Sequence, residues 1–316
     1  MLALRLALIW LATFPALASA LPQTRATSAP IVRPRGVLIV SVDGLRPDLI
    51  FRADTPNLHG LMARGSFTMW ALTVPVAITL PSHTSMLTGV PVEVHGVTWN
   101  GDPPTAQSWP ARPTLFAVAK QAGYRTAMVA GKSKFAALAV PGTLDRCYVP
   151  PDLRGDSTVT DTATRWIRED APQVLFVHLP LVDAAGHNYG WGSPEQITAV
   201  AKADRCIGRL LDALAQQNLL DSTVVLVTAD HGGAGKTHGK DDDRSLHIPW
   251  IIAGPGIRQG YDLTQDAKLT VHTEDSFATV CSLLGIPVPD SIAGRVVNTA
   301  APIAGPGGME AHAAGH

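Results

Sequence analysis

The chain of 316 residues is 46% hydrophobic and 16% charged, and its 25 basic and 26 acidic residues leave a formal net charge of -1 at pH 7. This near balance offers no polybasic surface of the kind that binds nucleic acids, so we expect no stable nucleic-acid partner. The length suits one large α/β domain, and it leaves the oligomeric state open.

Residues 1–20 have the layout of a secretory signal peptide. A positive charge at Arg5 precedes an apolar stretch, and Ala18-Ser19-Ala20 provides an A-x-A cleavage site. The alternative is a retained N-terminal anchor, although Pro15 interrupts the apolar run and the run is shorter than the ~20 residues of a spanning helix. We therefore expect secretion across the inner membrane into the periplasm or the medium, and no membrane span in the mature chain.

After a leader rich in Pro, Thr, Ser and Arg at residues 21–35, apolar runs alternate with amphipathic stretches. The apolar runs cover residues 37–42, 125–130, 174–179, 222–228 and 249–253, and helical spacing marks residues 113–122 and 194–216. This alternation predicts a three-layer α/β fold, in which a mainly parallel central sheet is sandwiched by helices. We expect one catalytic domain over residues 36–299 and a disordered tail over residues 300–316.

Three cysteines, Cys147, Cys206 and Cys281, cannot all pair within one chain. Export permits a disulfide, but Cys281 lies in an apolar run and is predicted to be a buried thiol. The pairing of the cysteines stays open.

Acidic and histidine side chains follow the predicted strands at four places. They are Asp43, then Asp183 with His187, then Asp230-His231, and finally His238. Because ligands bind at the carboxyl ends of the strands in an open α/β sheet, we expect these side chains to converge. Three carboxylates and three imidazoles suit two Zn²⁺ ions, and Mn²⁺ or Fe would accept similar ligands.

Each of these segments also has an ordinary structural explanation. Asp43 could cap a helix, and Asp183 with His187 could form a surface pair one helical turn apart. Asp230-His231 could belong to a turn. Metal binding is the stronger hypothesis because all of the segments follow strands and several have glycine neighbours, which leave room for loops to crowd around an ion.

The candidate nucleophile is Thr79, which opens a helical stretch that ends at Gly89. Backbone N–H groups at the start of a helix favour phosphate, and metal coordination would activate the hydroxyl. Alternatively, Thr79 could cap the helix, and Ser82, Thr84 or Ser85 could do the same.

These segments resemble the type I phosphodiesterase/nucleotide pyrophosphatase family of the alkaline phosphatase superfamily. The matching motifs, in order, are Asp43-Gly44-Leu45-Arg46, Thr79-Leu80-Pro81-Ser82-His83, His95-Gly96 with Asn100, residues 183–187, and Asp230-His231-Gly232. The resemblance covers most of residues 36–290. It implies a two-zinc phosphoester hydrolase that acts on a small phosphoester or nucleotide through a covalent phospho-threonine.

The resemblance also implies the ligand sets. One zinc would be held by Asp43, Asp230, His231 and Thr79, and the other by Asp183, His187 and a third histidine. Asn100 would bind a non-bridging phosphate oxygen together with the backbone N–H of the nucleophile, although the residues around it also suit a turn.

The third histidine departs from the family pattern, in which it lies far downstream. His238 is our candidate, and His247 and His272 are the alternatives. Lys132 and Lys134 could reach a phosphate, but we expect solvated loop lysines. Tyr189 and Trp191 could form an apolar wall for the leaving group, or they could pack in the protein without a role in function.

The resemblance favours phosphodiesters or nucleotide pyrophosphate bonds as substrates. Alternatives on the same site are a phosphomonoesterase, a phosphonate hydrolase, a phosphomutase-like transferase and a non-catalytic metal-binding relative. A sulfatase is disfavoured because no cysteine lies near Thr79.

Overall fold

A computed structural model describes residues 33–105, 107–239 and 242–299. The predicted signal peptide, nearly all of the predicted leader and the predicted tail lie outside these residues. Within them, no helix has the length and apolar character needed to cross a membrane.

A single mixed sheet forms the centre of the described structure. Its strands are β1 (Gly36–Val42), β2 (Gly65–Leu72), β3 (Thr126–Val129), β4 (Arg146–Tyr148), β5 (Val174–Leu179), β6 (Thr223–Thr228), β7 (His247–Ala253) and β8 (Tyr261–Asp262). Their order across the sheet is β4-β3-β5-β1-β6-β7-β2-β8. Strand β1 pairs in parallel with β5 and β6, whereas β7 runs antiparallel to both β6 and β2. The mainly parallel sheet is therefore confirmed.

Helices cover the sheet. They are α1 (Pro47–Arg52), α2 (Pro56–Ala63), α3 (Thr79–Thr88), α4 (Val92–His95), α5 (Leu115–Gln121), α6 (Asp156–Glu169), α7 (Leu181–Tyr189), α8 (Pro194–Gln216), α9 (Asp243–Leu246) and α10 (Asp275–Leu284). Helix α6 packs on α8 and β5, while α10 packs on α3, α5 and β1. These two helical layers confirm the predicted sandwich.

The central strands and the longest helix follow directly from their sequences. Strands β1, β5 and β6 are rich in Val, Leu and Ile and buried along their whole length, as expected for strands covered on both faces. In α8, the Ser193 side chain accepts a hydrogen bond from the Gln196 backbone N–H, and Pro194 opens the helix. Its apolar positions form one buried stripe.

One connection between the predicted elements differs from what the sequence indicates. Residues 141–158 show little periodicity, but they contain β4 and the start of α6. Strand β4 has only three residues, Arg-Cys-Tyr, none of them buried, so it has no apolar run to reveal it. Of the cysteines, Cys281 is buried as predicted, and all three thiols are free.

Candidate metal centre

Three aspartates meet at the carboxyl ends of the three central strands. Asp43 directly follows β1, Asp230 is the second residue after β6, and Asp183 lies in the first turn of α7, just beyond β5. All three side chains are buried. The topology therefore brings together carboxylates that are far apart in the sequence, at the edge of the sheet where open α/β folds bind their ligands.

Each of these carboxylates uses one oxygen for contacts within the protein. Asp43 Oδ2 accepts hydrogen bonds from His178 Nε2 at 2.8 Å and from Lys132 Nζ at 2.7 Å. The Lys132 ammonium also donates to Asp183 Oδ2 at 2.6 Å. Lys132 therefore bridges two carboxylates, and the prediction of a solvated loop lysine at this position is wrong.

The second oxygen of each carboxylate has no hydrogen-bond partner within residues 33–105, 107–239 and 242–299. Asp230 follows the same pattern, since its Oδ1 accepts from the Gly44 backbone N–H at 3.1 Å. Four buried polar atoms of the cluster are left without a hydrogen bond among the described residues: Asp43 Oδ1, Asp183 Oδ1, Asp230 Oδ2 and His231 Nε2. A buried polar atom without a partner costs free energy, and the concentration of four such atoms in one cluster fits ligands of a cation.

The three candidate histidines share one arrangement. In each, Nδ1 lies within hydrogen-bond distance of a backbone carbonyl: His231 to Gly232 at 2.9 Å, His187 to Lys236 at 3.0 Å, and His238 to Ala77 at 2.8 Å. A carbonyl can only accept, so the proton sits on Nδ1 and the Nε2 lone pair is available. Such an orienting bond is what metal-bound histidines use.

The candidate ligand atoms form two overlapping groups. Ligand atoms of Asp43, Asp230 and His231 lie within 4.8 Å of one another, and so do those of Asp183, His231 and His238. His187 Nε2 is 3.2 Å from Asp183 Oδ1. The resemblance placed His231 in one set only, whereas the structure places it within reach of both.

Among the three candidates for the remaining histidine, the structure brings His238 to the cluster. Its Nε2 is 3.7 Å from Asp183 Oδ1, and its ring stacks on that of His231 at 3.6 Å. His247 instead packs on Trp70 with ring centroids 3.9 Å apart. His272 is exposed in the segment before α10.

Thr79 is the first residue of α3, and Ile78 occupies the N-cap position without a capping side chain. The other four hydroxyl side chains of α3 are hydrogen-bonded: Ser82 to Asp230 O, Thr84 to Leu80 O, Ser85 to His95 and Thr88 to Thr84 O. The Thr79 hydroxyl has no such bond to a described residue, although the residue is buried. The capping alternative is therefore not supported, and this hydroxyl is the one available in α3.

Asn100 contacts the start of α3. Its Oδ1 accepts a hydrogen bond from the Leu80 backbone N–H at 2.9 Å and another from Lys134 Nζ at 3.1 Å. Asn100 thus binds Leu80, the residue that follows Thr79 in the sequence, and so lies beside Thr79. Lys134 also belongs to the site, which contradicts the expectation of a solvated loop lysine.

Two further buried histidines, His83 and His178, contact residues of the site. His83 Nδ1 donates to Thr79 O at 2.8 Å and lies 3.4 Å from Asp230 Oδ2, while its Nε2 accepts from Ser41 Oγ at 2.8 Å. His178 was missed by the sequence analysis. The only signal for it was an imidazole inside an otherwise apolar strand, where burial demands a partner.

The ionisable side chains of the cluster have pKa values that are shifted in different directions. Burial opposes ionisation of Asp43, but Lys132 and His178 hold its pKa well below the ordinary value. Burial and the neighbouring Asp43 charge raise the pKa of Asp230 well above its ordinary value. Burial lowers the pKa of His231 to about 4, so this ring is neutral. Buried carboxylates that resist joint ionisation, beside neutral imidazoles, fit divalent metal ions with oxygen and nitrogen ligands.

The buried Trp191 packs against this site. Its Nε1 donates to Gly44 O at 2.9 Å, and its ring contacts those of His187 and His238 edge-on. The Trp191 ring therefore packs against both candidate histidine ligands. Tyr189 is exposed.

The profile of the type I phosphodiesterase/nucleotide pyrophosphatase family matches residues 37–249. The chain belongs to this family. Ectonucleotide pyrophosphatase/phosphodiesterase family member 7 of Mus musculus is 28% identical over 229 residues, which make up 65% of this chain and 52% of that protein. Bis(5′-adenosyl)-triphosphatase enpp4 of Xenopus laevis is 26% identical over 245 residues, 73% of this chain and 52% of that protein. The chain thus spans about half the length of these relatives.

Solved structures confirm the alkaline phosphatase-like fold. Murine ectonucleotide pyrophosphatase/phosphodiesterase 5, in an inactive form with AMP, superimposes with a TM-score of 0.69 at 17% identity, covering 82% of this chain and 97% of that one. A 2-O GAG sulfatase superimposes with a TM-score of 0.65 at 16% identity, covering 84% and 73%. At these identities the likeness shows the fold alone.

Proposed function

We propose that this chain is an exported, metal-dependent phosphoester hydrolase that cleaves phosphodiester or nucleotide pyrophosphate bonds with Thr79 as the nucleophile. Export rests on the sequence pattern of residues 1–20. Membership of the type I phosphodiesterase/nucleotide pyrophosphatase family supports the reaction class. Two relatives that carry the words pyrophosphatase or triphosphatase in their names support the choice of substrate bonds.

One observation carries the proposal. In the part of the chain that the structure describes, atoms of three carboxylates and one imidazole without hydrogen-bond partners converge at the strand ends, next to a helix whose first hydroxyl group, that of Thr79, also has none. We propose that Asp43, Asp230, His231 and Thr79 hold one zinc ion and that Asp183, His187 and His238 hold another. Mn²⁺ or Fe would suit the same oxygen and nitrogen ligands.

The metal ions, when bound, would supply positive charge for the phosphoryl oxygens and lower the pKa of the attacking hydroxyl group. The Thr79 oxygen forms a bond to phosphorus as the bond to the leaving oxygen breaks, which gives a phospho-threonine. Water then displaces the Thr79 oxygen, so the net reaction is hydrolysis. The Asn100 amide donates to a non-bridging oxygen, where negative charge must be held during transfer.

The test is hydrolysis of bis-p-nitrophenyl phosphate and p-nitrophenyl phosphate by zinc-reconstituted mature protein, with Thr79→Ala and Thr79→Ser as variants. We expect preference for the diester, with loss of about 1,000-fold or more in Thr79→Ala, the scale on which a nucleophile acts. Thr79→Ser keeps a hydroxyl at the same position and should retain part of the activity. Metal content is measured in each variant.

Zinc-dependent activity that survives in Thr79→Ala would overturn the assignment of the nucleophile. A preference for the monoester would keep the mechanism and change the substrate class to phosphomonoesters. A protein that binds zinc but hydrolyses neither ester would overturn the proposal in favour of a phosphonate substrate or a non-catalytic relative.

A further inference from the structure

Two lysines that are two residues apart have different roles in the site. Lys132 is neutralised by two carboxylates, Asp43 and Asp183, which its ammonium bridges. Lys134 forms no ion pair with any described carboxylate, and its hydrogen bond goes to the neutral Asn100 amide oxygen. The charge of Lys132 is thus balanced within the protein, whereas that of Lys134 lies without an ion-pair partner among the described residues, at Asn100, which binds the backbone of Leu80 next to Thr79.

The environment of Lys134 differs from that of an ordinary surface lysine. The side chain is partly buried, in the 3₁₀ segment Ser133–Leu138 that also carries the buried Phe135. Burial and the charge of Lys132 lower the pKa of Lys134. Placing an ammonium in partial burial beside another cation is unfavourable unless an anion balances it. The carboxylates of Asp43, Asp183 and Asp230 act on Lys134 only at a distance, and none of the described residues forms an ion pair with it, so the position suits an additional anion.

Lys134 also determines which side of the Asn100 amide is available. Oδ1 has two lone pairs, and both are used, by the Leu80 backbone N–H and by Lys134 Nζ. The Asn100 Nδ2 donors make no hydrogen bond to a described residue. The amide is therefore oriented with its donors free, and a cation lies on the opposite edge. A substrate oxygen that meets these donors also comes within the field of the lysine.

We propose that Lys134 is a specificity-determining residue that selects substrates with a second negative charge beside the scissile phosphorus. This inference rests on the proposed function, because it assumes that the phosphoryl group binds between Thr79 and Asn100. The second charge can lie on the transferred phosphoryl group, as in a dianionic monoester, or on a phosphate of the leaving group, as in a nucleotide pyrophosphate bond. A simple diester carries only one charge and would gain less from Lys134.

The experiment compares kcat/KM for three substrates on the zinc-loaded enzyme. Bis-p-nitrophenyl phosphate carries one charge, p-nitrophenyl phosphate carries two on the transferred group, and diadenosine triphosphate carries further charges on the leaving group. Lys134→Met removes the charge and the hydrogen bond. Lys134→Gln removes the charge but keeps a donor for Asn100, and Lys134→Arg keeps the charge.

We expect Lys134→Met and Lys134→Gln to lower kcat/KM on the order of 10-fold more for at least one of the multiply charged substrates than for bis-p-nitrophenyl phosphate, the scale of a charge-assisted contact. Lys134→Arg should restore most of the loss. A loss confined to p-nitrophenyl phosphate assigns the charge to the transferred group, and one confined to diadenosine triphosphate assigns it to the leaving group. Lys120→Met, which alters an exposed lysine paired with Asp145, is the matched control.

An equal loss on all three substrates, or no loss on any, would overturn this inference, because a structural role does not discriminate by charge. Hydrolysis of bis-p-nitrophenyl phosphate reports at the same time that the variants are folded. Thr79→Ala in the same assays separates the two proposals. If Thr79→Ala is active, the proposed function fails. If only charge selection is missing, the role of Lys134 fails alone.

Discussion

The two candidate ligand groups are built in different ways. Asp43, Asp230 and His231 are fully buried and follow β1 and β6, which pair directly in the sheet. In the second group, which is the proposed zinc site of Asp183, His187 and His238, the His187 side chain is 44% exposed and that of His238 is 8% exposed. We refer to this set as the open group and to Asp43, Asp230 and His231 as the buried group. The sheet itself assembles the first group, so it should exist before metal binds. The second group depends on α7 and a loop, whose ordering costs conformational entropy that the metal must offset.

The largest effect should come from the buried group. Asp43→Asn keeps the size of the side chain but removes the charge that Lys132 and His178 contact. We expect a loss of zinc affinity on the order of 100-fold or more, above the range typical for residues that only support a ligand, and a matching loss of hydrolysis. Zinc affinity is measured by titration against a competing chelator, with metal stoichiometry determined independently.

The open group should respond less. His187→Ala removes an exposed ligand while Asp183 and His238 remain, so we expect loss of one zinc equivalent with roughly 10-fold weaker binding and retention of the other. His247→Ala is the control, because His247 packs on Trp70 away from the cluster. Equal losses in Asp43→Asn and His187→Ala would show that the two groups form one inseparable site.

Some parts of the fold and of the site could be predicted from the sequence, and others could not. The central strands were predicted to within one residue at each end because an uninterrupted apolar run is a strong signal. The convergence of Asp43, Asp183 and Asp230 followed from the rule that parallel strands end at one edge. Strands β2, β4 and β8 were missed. Polar residues interrupt the apolar sequence of β2, and none of the residues of β4 and β8 is buried.

The site residues that were misjudged are those whose role depends on a partner far away in the chain. Lys132 and Lys134 follow a strand in a loop, where most lysines are solvated. Only the fold shows that one faces two carboxylates and the other the Asn100 amide. His178 has the same explanation, because its partner Asp43 lies 135 residues away in sequence.

A third prediction concerns how the cluster is stabilised before metal binds. Lys132→Met leaves Asp43 and Asp183 buried without their shared cation. We expect the metal-free variant to lose about 3 kcal/mol of unfolding free energy, as when one partner of a buried ion pair is removed. Saturating zinc should offset much of this loss, because the metal can neutralise the same carboxylates. Urea denaturation with chelator and with zinc measures both values.

The matched comparison for stability is Lys134→Met, which removes an ammonium without an ion-pair partner and should destabilise the metal-free protein much less. If Lys132→Met destabilises the chain equally with and without zinc, then Lys132 stabilises the structure independently of the metal cluster. That result would remove the argument that the carboxylates need a cation.

The smallest effect should come from substitutions of Asp156, whose side chain contacts the start of α7, the helix that carries Asp183 and His187. Asp156 Oδ1 accepts from the backbone N–H of Leu181, the first residue of α7, and its Oδ2 has no hydrogen-bond partner among the described residues. Burial raises the pKa of this carboxyl group from 3.8 to about 7. The folded state therefore binds more protons than the unfolded state between these values. The contribution of Asp156 to stability is complete below about pH 4 and is lost as the pH rises through about 7.

Asp156→Asn keeps an acceptor for Leu181 but cannot ionise. We expect this variant to exceed the original protein in unfolding free energy by on the order of 2 kcal/mol at pH 8 and to match it at pH 4. Urea denaturation at several pH values measures the difference, and a constant difference would contradict the assignment. Asp156→Ala also loses the acceptor at the start of α7. It should therefore weaken zinc binding by Asp183 and His187 while the buried group keeps its affinity, which tests whether the open group depends on its helix.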